Sequence, residues 1–243
     1  MILDIDVGNS FVKWRALSEL GATQRGSQST RSVVRAGLDL SVIHVVTYAR
    51  LSSVGDASII EILRQQLENT FDVELRRAVV SRFAGGVQCG YRRPEELGID
   101  RWLAMVSAYS KFKRSIIVAD LGSAITLDVI NDDGQHMGGY ILPGLSLMRE
   151  SLHSGTAQVS AYDDMDDAIV PANNTSAAVN HGSLFAVIAA IEKLAHKHQA
   201  LLVLTGGDAN LIKGVLNIDA LYERDLVIDG LSVNDISLIK CCP

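Results

Sequence analysis

Only three cysteines occur in 243 residues. Cys89 stands alone, and Cys241 and Cys242 are adjacent near the end of the sequence, so a disulfide scaffold is excluded and no C-x-x-C ligand pair exists. A reduced, cytoplasmic protein is the expectation. The six histidines form no H-E-x-x-H or other ligand pattern. No run is long and apolar enough to span a bilayer: the stretch 168–191 is uncharged, but only Leu184 to Ile191 is continuously apolar. Asp4 and Asp6 stand where a signal peptide needs basic and then apolar residues, so no export signal is expected.

Familiar ligand signatures are missing too. There is no G-x-x-x-x-G-K-[ST], nor any Gly-Lys pair, which removes the P-loop. G-x-G-x-x-G is absent, and with it the usual dinucleotide fingerprint. G-x-S-x-G is absent, so the α/β-hydrolase elbow has no support. Positive charge is in deficit, with 22 basic against 28 acidic residues and a net charge of −6. Nucleic-acid affinity leans on neutralising phosphates, so neither nucleic acid nor membrane is expected as a partner.

What is present suits a folded core. Apolar residues make up 48% and charged residues 21%, and the length allows one large domain or two halves. Ile2 to Val7 reads as a strand, broken by Gly8-Asn9-Ser10 and returned by Phe11 to Leu17. His44 to Thr47 reads as another strand. Ile59, Leu63, Leu67 and Phe71 recur every four residues, which predicts an amphipathic helix opening near Asp56. Pro94 introduces a helix over Glu95 to Phe112. Strands follow at Ser115 to Asp120, Ala124 to Ile130 and Gly138 to Leu142, and Pro143-Gly144 leads into a helix. A long helix is expected over Ser176 to His198, apolar nearly all round at Leu184 to Ile191 and so buried in the fold or in a subunit interface. Thr175 suits its N-cap. Leu201 to Leu204 is a strand entering Thr205-Gly206-Gly207, Asp208 to Leu216 is helical, and Leu226 to Ile228 is a last strand.

One segment echoes another. Ile2-Leu3-Asp4-Ile5-Asp6-Val7-Gly8-Asn9-Ser10 aligns with Ile116-Ile117-Val118-Ala119-Asp120-Leu121-Gly122-Ser123-Ala124, at an offset of 114 residues between Asp6 and Asp120. Each copy is an apolar strand ending in Asp-x-Gly-small, followed by a second strand. Glycine permits a left-handed φ and removes the side chain that would block a phosphate. Turn N–H groups can converge on an anion, with Asn9, Ser10 and Lys13 as further donors. Asp6 can hold Mg²⁺ through water. Either copy alone is weak evidence and reads as a turn aspartate and a turn glycine. Two copies half a chain apart, with Thr205-Gly206-Gly207 after a late strand, point to a nucleotide cleft between two related halves.

The second unusual segment runs from Tyr91 to Trp102. Its Gly98-Ile99-Asp100-Arg101 is not required by packing. An aspartate there can accept a hydroxyl proton, and an arginine can grip a carboxylate or phosphate in bidentate fashion. A dipole pair at a helix start is the plainer alternative.

Taken together these pieces resemble the type III pantothenate kinases of the acetate kinase/sugar kinase/Hsp70/actin superfamily. The resemblance runs through Asp6-Val7-Gly8-Asn9-Ser10 with Lys13, and through Tyr91…Pro94-Glu95-x-Leu97-Gly98-x-Asp100-Arg101-Trp102. It continues with Asp120-x-Gly122-Ser123-Ala124-x-Thr126, Gly138-Gly139-x-Ile141-x-Pro143-Gly144, Asn174-Thr175 and Thr205-Gly206-Gly207-Asp208. It implies an α/β, duplicated actin-like (ribonuclease H-like) ATPase fold, with halves at 1–114 and 115–243 around a nucleotide cleft. It implies phosphorylation of pantothenate by ATP to 4′-phosphopantothenate, the first step of coenzyme A synthesis, in a homodimer.

By motif match, Asp6, Val7, Gly8, Asn9, Ser10, Phe11, Val12 and Lys13 would cradle the ATP phosphates, with Asp6 organising Mg²⁺ and Ser123 meeting ATP at the second loop. Asp100 would accept the proton. Tyr91, Gly98, Ile99, Asp100 and Arg101 would line the pantothenate site, with Thr175 contributing from the partner subunit or the helix mouth. Asp120 matches the position of a monovalent cation, K⁺ or NH₄⁺. The family usually has threonine where this chain has Ser10 and Ser123; the hydroxyl survives and the methyl is lost. Another small-molecule kinase of the superfamily, or a non-catalytic transcription accessory protein, are the competing readings.

Overall fold

Leu3, Ile5 and Val7 alternate with Asp4 and Asp6 along the first strand, so one face is apolar and the other carries carboxylates. The structure, a computed structural model, describes residues 1–18, 21, 23–155 and 168–241. Its elements begin with β1 (Ile2–Val7), β2 (Phe11–Leu17), β3 (Thr23–Ser29), α1 (Thr30–Ala36), β4 (Tyr48–Ser53), α2 (Ala57–Phe71) and β5 (Leu75–Ala78). A small hairpin follows, β6 (Phe83–Ala84) with β7 (Val87–Gln88), then a 3₁₀ turn (Pro94–Glu96) and α3 (Ile99–Phe112). Next come β8 (Ile116–Leu121), β9 (Ala124–Ile130), β10 (His136–Pro143), α4 (Leu145–Gly155), α5 (Thr175–His198), β11 (Leu201–Thr205) and α6 (Ala209–Val215). The chain closes with β12 (Leu221–Tyr222), α7 (Leu226–Gly230) and β13 (Leu238–Lys240).

These elements form two compact units, one of Met1–Lys111 with Asp225–Pro243 and one of Phe112–Arg224. The first holds a sheet in the order β13-β5-β4-β1-β2-β3. β1 is antiparallel to β2 and parallel to β4. Leu3, Ile5, Val7 and Leu51 bury one face of this sheet in a core with Val33 of α1 and Leu63 and Leu67 of α2. The second unit holds the order β10-β9-β8-β11-β12. β8 is antiparallel to β9 and parallel to β11. Ile117, Ala119 and Leu121 pack with Leu184, Val187 and Ile191 of α5 and Ile212 of α6. The order β3-β2-β1-β4-β5 thus recurs as β10-β9-β8-β11-β12, and β8 (116–121) follows β1 (2–7) at the offset of 114 throughout. This is a duplicated actin-like fold.

Several elements differ from the sequence expectations. The boundary at 1–114 and 115–243 does not match the units at the C-terminal end. Residues after 224 join the first unit, because β13 pairs antiparallel with β5 and α7 packs on β1. Leu226 to Ile228, expected as a strand, form the buried turn of α7. The strand expected at His44 to Thr47 starts instead at Tyr48, where the ladder to Ile2 of β1 begins. The helix expected from Glu95 starts at Ile99, since Leu97 is extended after the 3₁₀ turn. Asn174, not Thr175, caps α5: its side chain accepts from the Ala177 amide at 2.9 Å. Within α5, Leu184, Val187, Ile188 and Ile191 are buried while Phe185 is 62% exposed, so the helix has two faces rather than none.

Strand β3 had no apolar signal, being Thr-Gln-Arg-Gly-Ser-Gln-Ser. It is held by the β2 ladder, and Gly26 makes room for the buried Trp14 indole: a Cβ there would lie 2.5 Å from Nε1. Cys89 is a buried free thiol, while Cys242 lies outside the described residues. No helix among the described residues is long and apolar enough to cross a membrane.

Candidate active site

In the first unit β1 delivers Asp6 one residue before its end. Lys13 of β2 stands opposite it on one side and the buried Ser52 of β4 on the other. Burial pushes the Asp6 carboxyl up to about 6. Ser52 and Lys13 pull it down, and the nearby charge of Asp100 pushes it further up. The hairpin tip is closed by the Gly8 amide donating to the Phe11 carbonyl at 3.0 Å. Thr30 fastens it, its hydroxyl donating to Gly8 O at 3.2 Å and its amide to Ser10 O at 3.0 Å. Asn9, Ser10, Phe11 and Lys13 are exposed around the tip, whereas Val7 and Val12 anchor it in the core. Gly8 and Gly122 do not take a left-handed φ. Their value is the missing side chain.

The Tyr91–Trp102 segment is shaped before α3 starts. Arg82 donates to the carbonyls of Tyr91, at 2.9 Å, and of Arg92. Asp100 lies in the first turn of α3, and its Oδ1 accepts from the Arg101 amide at 2.8 Å. Gly98 is what permits this: a Cβ there would lie 2.6 Å from the same oxygen. Arg101 is nearly buried, donates to the Tyr91 hydroxyl at 3.0 Å, and stacks over that ring with its guanidinium carbon 5.7 Å from the centroid. Ile99 is buried beside them. The first unit therefore brings together Asp6, Lys13 and Asp100 by charge, and Tyr91, Gly98, Asp100 and Arg101 by contact.

In the second unit β8 delivers Asp120, partly buried, to the Gly122-Ser123 turn, with Ser123 exposed. Two other backbones press on this turn. Gly144 donates its amide to Ser123 O at 3.1 Å, and a Cβ at Gly144 would lie 2.6 Å from that oxygen. Gly206 adopts φ +97°, and a Cβ there would lie 2.5 Å from the Leu121 backbone. The Asp208 amide donates to Leu121 O at 3.0 Å. Burial raises the pKa of Asp208 while the charge of Arg149 lowers it. Pro143-Gly144 and Thr205-Gly206-Gly207 flagged these loops in the sequence; Arg149, inside α4, gave no signal. Thr175 opens α5 and lines a cavity of about 810 Å³ together with Met148, Leu152, Asn174 and Val179.

Asp6 and Asp100 offer oxygen ligands, and no group of three or more His, Cys, Asp or Glu that could hold a metal occurs among the described residues. A single carboxylate suits a magnesium ion that keeps water and takes phosphate oxygens.

The fold is shared with a Campylobacter jejuni protein assigned to the Baf family of transcriptional activators, at a TM-score of 0.58 and 22% identity over 95% of both chains. It is shared with a Sinorhizobium meliloti protein assigned as a 2-dehydro-3-deoxygalactonokinase, at a TM-score of 0.57 and 14% identity over 96% of this chain and 97% of the other. In sequence, the chain is 38% identical to the type III pantothenate kinase of Chromohalobacter salexigens, covering 95% of this chain and 86% of that one. Residues 2–197 match the family model described as type III pantothenate kinase. With a match over most of its length and both Asp-x-Gly hairpins in place, the chain belongs to the type III pantothenate kinase family.

Proposed function

We propose that this chain transfers the γ-phosphoryl group of ATP to the primary hydroxyl of pantothenate, giving 4′-phosphopantothenate for coenzyme A synthesis. The observation that carries the reading is Asp100 at the start of α3, flanked by the Tyr91–Arg101 pair and within electrostatic reach of Asp6, in a chain of this family.

Asp100 takes the hydroxyl proton as the pantothenate oxygen bonds to the γ-phosphorus. The bond from that phosphorus to the bridging oxygen breaks, and ADP leaves with the electron pair. The transition state of such transfers is loose, so positioning and charge neutralisation dominate. Arg101, held in plane by Tyr91, grips the pantothenate carboxylate in bidentate fashion. Gly98 and Ile99 complete that wall. The tip from Asp6 to Lys13 receives the ATP phosphates on main-chain amides, on the Asn9 and Ser10 side chains and on the Lys13 ammonium. Ser123 serves the second loop. Asp6 fits Mg²⁺, which when bound neutralises phosphate charge. Asp120, a partly buried carboxylate near the end of β8, fits a monovalent cation, K⁺ or NH₄⁺.

Exposed apolar side chains on the second unit, Met137, Tyr140 and Ile141 of β10 with Phe185 of α5, favour a homodimer. Scarce cysteine favours the cytoplasm.

The test is ADP release with and without pantothenate, with the product weighed by mass spectrometry. Release that needs pantothenate and adds one phosphoryl group to it is expected. Release driven by a sugar from a substrate panel, and not by pantothenate, would overturn the reading.

A further inference from the structure

Beside the rung that carries Lys13, Asp6 and Ser52 lies a second one on the same face of the first sheet: Arg15, Asp4 and Arg50. Asp4 is fully buried. It accepts from Arg50 Nε at 2.6 Å and Nη2 at 3.0 Å, and from Arg15 Nη2 at 3.4 Å. Two guanidiniums on one carboxylate leave a positive excess, and the C-terminal segment balances it. Arg15 also donates to the Asp229 carboxylate and, at 3.4 Å, to Ile228 O, while Arg50 donates to Ser232 Oγ at 2.9 Å.

The same segment rests on α3. A Cβ at Gly230 would lie 2.8 Å from the Leu103 Cα, so α7 touches the α3 backbone one turn after Asp100. Further on, Asp235 accepts from the Gly85 amide at 2.8 Å, and Ser110 of α3 donates to Gly85 O at 3.0 Å. The segment therefore bridges β1, which carries Asp6, to α3, which carries Asp100.

Buried ion clusters are weak evidence for stability, since apolar packing of equal volume does as well or better. What a guanidinium fork adds is direction: it fixes distance and angle where an apolar contact would let the elements slide. We propose that Asp229 and Gly230 are positioning residues, Asp229 through the Arg15–Asp4–Arg50 rung beside β1 and Gly230 through its close approach to Leu103 of α3, which together set the gap between β1 and α3 and thus the spacing of Asp6 and Asp100. As a statement about turnover this rests on the phosphoryl-transfer reading above.

The test uses the full-length chain and Asp229→Ala, Asp229→Glu and Gly230→Ala, assayed well below each melting midpoint. Asp229 is 42% exposed, so its variants retain the fold even if the Gly230 variant does not. Asp229→Ala and Gly230→Ala are expected to lower kcat about 10- to 100-fold, with KM for ATP and for pantothenate within about twofold. Asp229→Glu is expected to restore most of the loss. In the nucleotide-free protein, hydrogen exchange over residues 99–103 should rise in Asp229→Ala. A lowered melting point with unchanged kcat, or a raised KM with unchanged kcat, would reduce the segment to a structural clamp and overturn the proposal. If the wild type does not phosphorylate pantothenate, the exchange arm still decides: a rise over 99–103 sustains the bridge and condemns only the assigned reaction, and no rise overturns the bridge itself.

Discussion

Asp6 at the end of β1 and Asp100 at the start of α3 stand close enough for the charge of Asp100 to raise the pKa of Asp6, which burial has already pushed up to about 6. Like charges gathered beside a desolvated strand end cost the free protein stability. Such arrangements are kept where a ligand uses them.

Asp6→Asn should therefore stabilise the free protein while abolishing turnover. The folded chain holds the Asp6 proton more tightly than the unfolded chain, whose value is 3.8. The group consequently destabilises at pH values above about 6, and the penalty fades as the pH falls toward 3.8. Thermal unfolding should show Asp6→Asn more stable by about 1–3 kcal/mol at pH 8, with a smaller gain at pH 5. An equal gain at both pH values would show that the Asp6 charge is not its source.

Asp100→Asn keeps size and polarity but cannot take a proton as a carboxylate does. Turnover should fall on the order of 10²-fold or more, with ATP affinity by titration calorimetry nearly unchanged. Near-normal turnover would remove Asp100 from the proton-accepting role.

Activity should rise with potassium or ammonium and stay low in sodium at equal ionic strength. Asp120→Asn should blunt that response more than it weakens pantothenate binding. Equal wild-type rates in sodium and potassium would sink the cation assignment and leave the kinase assignment standing.

Sedimentation at micromolar concentration should give a dimer, and Phe185→Glu or Ile141→Glu should shift it toward monomer, since both side chains are more than half exposed and apolar. A wild-type monomer with full activity would contradict the interface.

The strands that carry the proposed phosphate loops were legible because each pairs an apolar face with an Asp-x-Gly end, and the 114-residue echo between Asp6 and Asp120 exposed the duplication. The start of α3 was legible only as a motif. Its geometry depends on Gly98 yielding space to the Asp100 carboxylate and on Arg82 holding two carbonyls, neither of which has a periodicity. β3 was illegible because its seven residues carry no apolar side chain and its stability comes from the neighbouring ladder. The return of the C-terminal segment was hidden for a related reason: Asp4, Arg15, Arg50 and Asp229 are unremarkable in the sequence and meet only across as many as 214 residues of separation.

That return inverts the order in which the protein can be completed during synthesis. The second unit is continuous, so every strand of its sheet has been made by residue 224. The first unit begins at the N-terminus yet lacks its outer strand and the partner of Arg15 until residues 225–240 emerge. Contacts of such long sequence separation form late. The part of the chain made first is the part finished last, and until then it presents β5 as an open edge to chaperones and to other nascent chains.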